Sequence, residues 1–282
     1  MNSLKITFLF VLIGFSSCTS NSYRKINNQH KKQVKGVTAT LREIPKTKSQ
    51  SKPDTLSISD EWIGTTNFSV RRPNYVIIHH TAQDSLAQTI KTFTLTRTQV
   101  SSHYVIGRDG KVVQMLNDYL RSWHAGRGRW GNDTDLNSAS IGIELDNNGF
   151  EPFTEKQIES LLLVLKRLKA KYSIPAANFI GHSDIAPGRK VDPSPYFPWQ
   201  RLANEGYGLW YDGVLNTPDF LTAGPLSKNF NSIDALRIIG YDVSDSSAAI
   251  QSFKVHFIQR DIESPMSDMD RLILYNLYKK YR

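Results

Sequence analysis

The chain has 282 residues, 39% of them hydrophobic, a formal net charge of +9 and a single cysteine. That length can bury a full core in one or two domains, and one cysteine excludes an intrachain disulfide and any cysteine-rich metal site. The positive charge does not indicate nucleic-acid binding, because it is concentrated: residues 19–60 hold nine Lys or Arg against Glu43, Asp54 and Asp60, and residues 61–282 are near neutral.

In chain order, Met1–Lys5 carry one positive charge, "ITFLFVLIGF" (Ile6–Phe15) is apolar, and "SSC" ends at Cys18. Ten apolar residues are too few to span a bilayer, so residues 1–18 read as a secretory signal. A cysteine directly after an apolar segment and two serines resembles a bacterial lipoprotein signal, in which that cysteine becomes the lipidated first residue. Phe15 departs from the usual leucine, and ordinary secretion with an incidental Cys18 is the alternative. Several acyl chains on Cys18 would anchor the protein firmly. Thr19, in place of aspartate, points by the usual sorting pattern to the periplasm and the outer membrane. Residues 19–60, rich in Ser, Thr, Lys, Asn and Gln, read as a basic flexible tether without structure of its own.

"NYVIIHHTA" (Asn74–Ala82) is an apolar, β-branched run expected to be a buried central strand. Asp84 opens a helical pattern with Leu86, Ile90 and Phe93 on one face. In "HYVIGRDGKVVQML" the Asp109-Gly110 pair between two β-rich runs signals a hairpin. "SIGIELDN" (Ser140–Asn147) is a second buried strand. Thr154–Tyr172 is the clearest helix, with Thr154 and Gln157 as a capping box and Ile158, Leu161, Leu162, Leu165 and Leu168 as its stripe. "FIGH" (Phe179–His182) ends a further short strand. Strands alternating with helices give an α/β domain over 61–222, a mixed sheet flanked by helices. Beyond it come helices only: Ser232–Ile239 closed by Gly240, one over about Ser246–Phe257, and one capped by Ser267 and Asp270. They form a small C-terminal helical module over 227–282.

Three predicted strand ends present polar groups where a packed sheet does not need them: His79 and His80, Glu144, and His182. An unpaired carboxylate in a buried strand costs several kcal/mol unless a partner or a metal compensates. Any one of them could be a satisfied core residue; together they suggest a shared rim. Histidines and a carboxylate with an open position are the ligands of catalytic zinc. Only one of His79 and His80 can reach a common ion, since neighbours on a strand face opposite ways. Asp184 and Asp192 are both open as the third ligand.

"VIIHHTA", "SSHYVIGRDG", "WHAG", "SIGIELDN" and "GHSDIAPGRKVDPSPYFPW" together resemble the zinc-dependent N-acetylmuramoyl-L-alanine amidases. That family includes phage lysozyme-like amidases and is related to peptidoglycan recognition proteins; the likeness is greatest to its AmiD-type lipoprotein branch. The resemblance implies His79, His182 and Asp192 as zinc ligands, Glu144 as the catalytic carboxylate and Lys190 as the cation near the developing oxyanion. It implies that His124 and Trp123 line the substrate groove, with a structural turn as the alternative for His124; Arg127, Arg129 and Trp130 are expected to meet the peptide or sugar only from their position after "WHAG". The partners it implies are peptidoglycan and muropeptides, including anhydro forms, with the protein a monomer and membrane contact made through the N-terminal lipid anchor. Asp184 is expected to shape its loop or to orient His182, His80 and His103 to be packed, and His256 to stand alone. The C-terminal helices resemble small peptidoglycan-binding modules, with a structural cap as the alternative. A metal-free peptidoglycan binder of the same fold and a zinc peptidase acting within the stem peptide are the rival functions.

Overall fold

The computed structural model of the chain describes residues 23–42, 67, 69–213 and 230–282. The expected signal at 1–18, with Cys18, and the expected domain boundary between 222 and 227 lie outside the described residues. The chain divides into two units, Met1–Phe68 and Ser69–Arg282. In the first, helix α1 spans Arg24–Arg42 and none of its residues is buried. This corrects the expectation of an unstructured tether. The polar composition favours disorder, but Lys, Arg and Gln are good helix formers, and Ile26, Val34, Val37 and Leu41 recur on one helical face. No described helix is long and apolar enough to cross a membrane.

The second unit is built on a five-stranded sheet: β1 (Tyr75–His80), β2 (Tyr104–Ile106), β3 (Val112–Gln114), β4 (Ser140–Leu145) and β5 (Phe179–Gly181), in the order β3-β2-β4-β1-β5. The β2–β3 hairpin is antiparallel and turns through Gly110 at φ +84°, a conformation that favours glycine. The other pairings are parallel. Helix α2 (Leu86–Thr94) is capped by Ser85 rather than by Asp84, the Ser85 side chain accepting from the Gln88 N–H. Short helix α3 (Leu136–Ala139) leads directly into β4.

One face of the sheet, from Val76, Ile78, Ile141, Ile143 and Leu145, packs on helix α4 (Glu155–Tyr172) through Ile158, Leu161, Leu165 and Leu168. Only half of the expected capping box forms. Thr154 accepts from the Gln157 N–H, while the Gln157 amide donates to the carbonyls of Ile106 and Asp146 and ties the helix to the ends of two strands.

The opposite face carries Ile77 and Ile180 and is covered by the C-terminal helices. These come after the short helices α5 (His182–Ile185) and α6 (Trp199–Asn204) and comprise α7 (Ser232–Ile239), α8 (Ser246–Phe253), extended by a π-turn over Lys254–Ile258, and α9 (Asp268–Tyr281). Their boundaries match those read from capping residues; their independence does not. Leu236, Ile239, Phe253, Phe257, Ile273 and Leu277 share one buried cluster with Ile77, Trp130, Ile180 and Ile185, so the module expected over 227–282 belongs to the same compact unit as the sheet. A helical pattern records that an apolar face exists but not what it covers.

Phe253→Ala, at a fully buried position in this cluster, is expected to lower unfolding free energy by about 3–5 kcal/mol. Denaturation followed by both tryptophan fluorescence and circular dichroism should shift as one transition. Two transitions, only one of them moved, would mean that the helices fold separately.

Candidate active site

The parallel pairing of β1 with β4 and β5 assembles the site. His79 lies opposite Glu144, and Ile78 opposite Gly181, so His182 sits one step past the end of β5. Alternation puts Ile77 and His79 on one face and Ile78 and His80 on the other. His80 accordingly turns away, its Nδ1 accepting the Ser194 N–H. Along β4 the same alternation leaves small or polar residues, Ser140, Gly142 and Glu144, on the His79 face.

Three side-chain atoms meet there. His79 Nδ1 lies 2.9 Å from His182 Nδ1 and 3.1 Å from Asp192 Oδ2, and His182 Nδ1 lies 3.0 Å from Asp192 Oδ2. All three residues are buried. Surrounding hydrogen bonds assign the protons. Ser140 Oγ donates to the Leu136 carbonyl, so it accepts from His124 Nε2 at 3.1 Å. His124 Nδ1 is then the acceptor for His79 Nε2–H at 2.9 Å. His182 Nε2 faces the carbonyl of Ala125 at 3.0 Å and must donate. Arg189, 3.4 Å from the same nitrogen, is itself spent on that carbonyl at 2.7 Å. In their neutral forms both rings therefore point a bare Nδ1 lone pair at the carboxylate oxygen.

Three electron pairs at this separation repel unless a proton or a cation sits among them. Burial, and then His182, lower the His79 pKa to about 4, so a proton is disfavoured there at neutral pH. Tetrahedral bonds of about 2.0–2.1 Å would set donor atoms about 3.3 Å apart, close to the spacings found. The residues present fit a divalent cation, and the outer nitrogens are already engaged as metal-bound histidines require.

His124 is positioned by its own backbone N–H, which donates to Asn137, and by Gly142. A Cβ at Gly142 would come within 2.7 Å of the His124 ring, which explains a glycine inside a buried strand. Burial, and then His79, hold His124 well below its ordinary pKa, consistent with a neutral acceptor. His103 is packed beneath it, accepting from Ser122 and Gly142 and donating to the Leu120 carbonyl.

Glu144 Oε1 lies 4.0 Å from His79 Nδ1. Burial and the negative charge of Asp192 push its carboxyl up to about 8, with Lys190 pulling the other way. A cavity of about 450 Å3 opens over the group, lined by Glu144, Lys190, Trp123 and the α2 residues Thr89, Thr92 and Phe93. Trp123 is 51% exposed at its rim.

The structure departs from expectation at Arg127, Trp130 and His256. Arg127 does not line this cavity. Gly126, at φ +59°, turns the chain aside, the Arg189 guanidinium lies against it, and Arg127 borders a separate depression with Arg129 and Asp242. Trp130 is buried against Tyr241, ring centroids 5.0 Å apart, rather than facing substrate. Asp184 shapes its turn through the Gly181 N–H and reaches beyond it to Tyr241 and His256, without touching His182 directly. His256 is therefore not alone. Arg189 lines the cavity beside Lys190, a position that sequence does not reveal, since nothing in "PGRKVDP" separates its two cations.

A mixed sheet with a buried His-His-Asp group and a carboxylate at its rim defines the class: the chain belongs to the N-acetylmuramoyl-L-alanine amidase family, whose pattern residues 69–195 match. Within it, the chain is similar to AmiD of Escherichia coli strain K12, 37% identical over 215 residues, which cover 66% of this chain and 75% of that one. It is also 44% identical to the 1,6-anhydro-N-acetylmuramyl-L-alanine amidase AmpD of Enterobacter cloacae over 103 residues, 36% of this chain and 55% of that one. The chain thus spans little more than half the length of that AmpD relative. Among solved structures, Escherichia coli AmiD superposes with a TM-score of 0.67 at 31% identity, over 79% of this chain and 95% of that one. AmpDH3 of Pseudomonas aeruginosa gives 0.68 at 29%, over 80% and 99%.

His124→Ala removes the acceptor that fixes the His79 proton, and metal affinity should fall about 10- to 100-fold. Competition with a chromogenic chelator measures it; affinity equal to wild type would mean that the His79 ring is held in place without His124.

Proposed function

We propose that the chain is a zinc-dependent amidase that hydrolyses the amide between N-acetylmuramic acid, or its anhydro form, and L-alanine in peptidoglycan or its fragments. The observation that carries this reading is the set of three converging lone pairs with Glu144 beside them, open to a cavity. His79, His182 and Asp192 would hold the ion. Zinc bound there supplies a Lewis acid for the scissile carbonyl and lowers the pKa of water to about 7.

The chain's own groups account for the rest. Glu144 removes a proton from the attacking water and passes one to the departing alanine nitrogen. The C–N bond breaks, water adds across it, and the products are the muramic carboxylate and a peptide with a free N-terminal alanine. Lys190 places positive charge where the carbonyl oxygen gains negative charge. Trp123 offers an apolar face at the rim, and His124, which lines the same cavity, also holds the His79 ring by accepting its Nε2–H. Acceptance of anhydro sugars is supported by the names of the AmpD relatives and by the AmiD structure, a complex with anhydro-N-acetylmuramic acid-L-Ala-D-gamma-Glu-L-Lys. Anchoring through Cys18, placement in the periplasm at the outer membrane and a monomeric state complete the reading.

Incubation with a muropeptide and mass analysis of the products test it. Cleavage should release the whole stem peptide, stop after chelation and return with zinc. Cleavage between stem amino acids would identify a peptidase, and no cleavage with zinc present a peptidoglycan binder.

Glu144→Gln should retain zinc while kcat falls about 100- to 10,000-fold. Lys190→Ala should lower kcat about 100- to 1000-fold. It should also move the acidic limb of the kcat/KM profile to higher pH, since Lys190 favours ionised Glu144. Asp192→Ala should lose zinc as well as activity, and wild-type zinc content in that variant would remove it from the ligand set.

A further inference from the structure

Asp184 is fully buried, and its carboxyl receives donors from three separate segments. The Gly181 N–H reaches Oδ2 at 2.7 Å, the Tyr241 hydroxyl reaches Oδ1 at 2.8 Å, and His256 Nδ1 reaches Oδ2 at 2.7 Å. The last two belong to the C-terminal helical region. The His256 ring is stacked between Trp199 and Phe257, at centroid distances of 3.9 Å and 4.0 Å, each tilted by 15°. Its Nε2 is buried without a partner, so the hydrogen-bonding work of this histidine is spent on Asp184.

What Asp184 holds is the turn that carries the ligands. Gly181 is the residue before His182, and the Ser183 N–H donates to the carbonyl of Asp192 at 2.7 Å. A Cβ at Gly181 would lie 3.0 Å from Pro193 and 3.1 Å from Trp199. The backbone of His182, the residue after Asp192 and the ring beneath His256 are thus packed closely together.

We infer that His256 and Tyr241 are positioning residues: through Asp184 and Gly181 the C-terminal helices set the approach of His182 to Asp192, and so the metal affinity of the site. This rests on the metal-dependent reading above. The helices act in this way as part of the catalytic framework, and the coupling runs through hydrogen bonds rather than through contact with substrate.

Two substitutions separate positioning from packing. His256→Phe keeps a flat ring in the stack and deletes the donor, whereas His256→Asn places an amide N–H near the Nδ1 position and deletes the ring. With full-length protein and zinc as the probe, His256→Phe should lose about 10- to 100-fold in zinc affinity. Its zinc-saturated form should show a reduced kcat at unchanged KM. His256→Asn should bind zinc like wild type despite a lower melting temperature. Wild-type zinc affinity in His256→Phe, with only its melting temperature lowered, would overturn the inference. If His256→Phe does not fold, Tyr241→Phe decides, because it removes one hydroxyl and almost no volume: a several-fold loss of zinc affinity supports the clamp and none refutes it. Failure of wild type to bind zinc or cleave would instead sink the functional reading itself.

Discussion

Two imidazole nitrogens and one carboxylate oxygen, each presenting an electron pair, stand about 3 Å apart in the interior of this protein. Such a group is unfavourable when alone, and the surrounding unit is arranged to hold it together. Adjacent parallel strands bring His79 and the start of α5 side by side, and the loop after α5 returns Asp192 to them. His124 and the Ala125 carbonyl take the outer hydrogens and leave the inner nitrogens bare. Electrostatic cost and ion capture are two aspects of one design, in which site stability and cation binding are linked.

Much of this is legible in the sequence, for identifiable reasons. Alternation in "YVIIHH" separates His79 from His80, because only one of two neighbours can share a face with the other ligands. Capping chemistry marks the ends of α4, α7 and α9. The register that sets Glu144 opposite His79 is not legible, since pairing between strands more than sixty residues apart leaves no local trace. Neither is the fate of Arg127, which hangs on one left-handed glycine, nor that of His256, whose partner lies seventy-two positions earlier. Composition misleads at Arg24–Arg42, where polarity conceals a helical period.

The C-terminal helices change the meaning of domain in this chain. They cover an apolar sheet face that α4 does not reach, and their cluster is continuous with Ile77 and Ile180 beneath the reaction centre. Similarity to the solved AmiD structure extends over 79% of this chain, so it includes more than residues 69–195, which carry the catalytic pattern. Family likeness located the chemistry; packing located what supports it.

Gly142 shows how far the support reaches. The ring of His124 occupies the space where any other residue would put its first side-chain carbon, so the wall behind the ligands has the thickness of a bare main chain. Even alanine there would act as a wedge, tipping an imidazole off its perch and breaking the relay of hydrogens that keeps a neighbouring nitrogen free. Tolerance at this centre is therefore governed by a single methyl's worth of room.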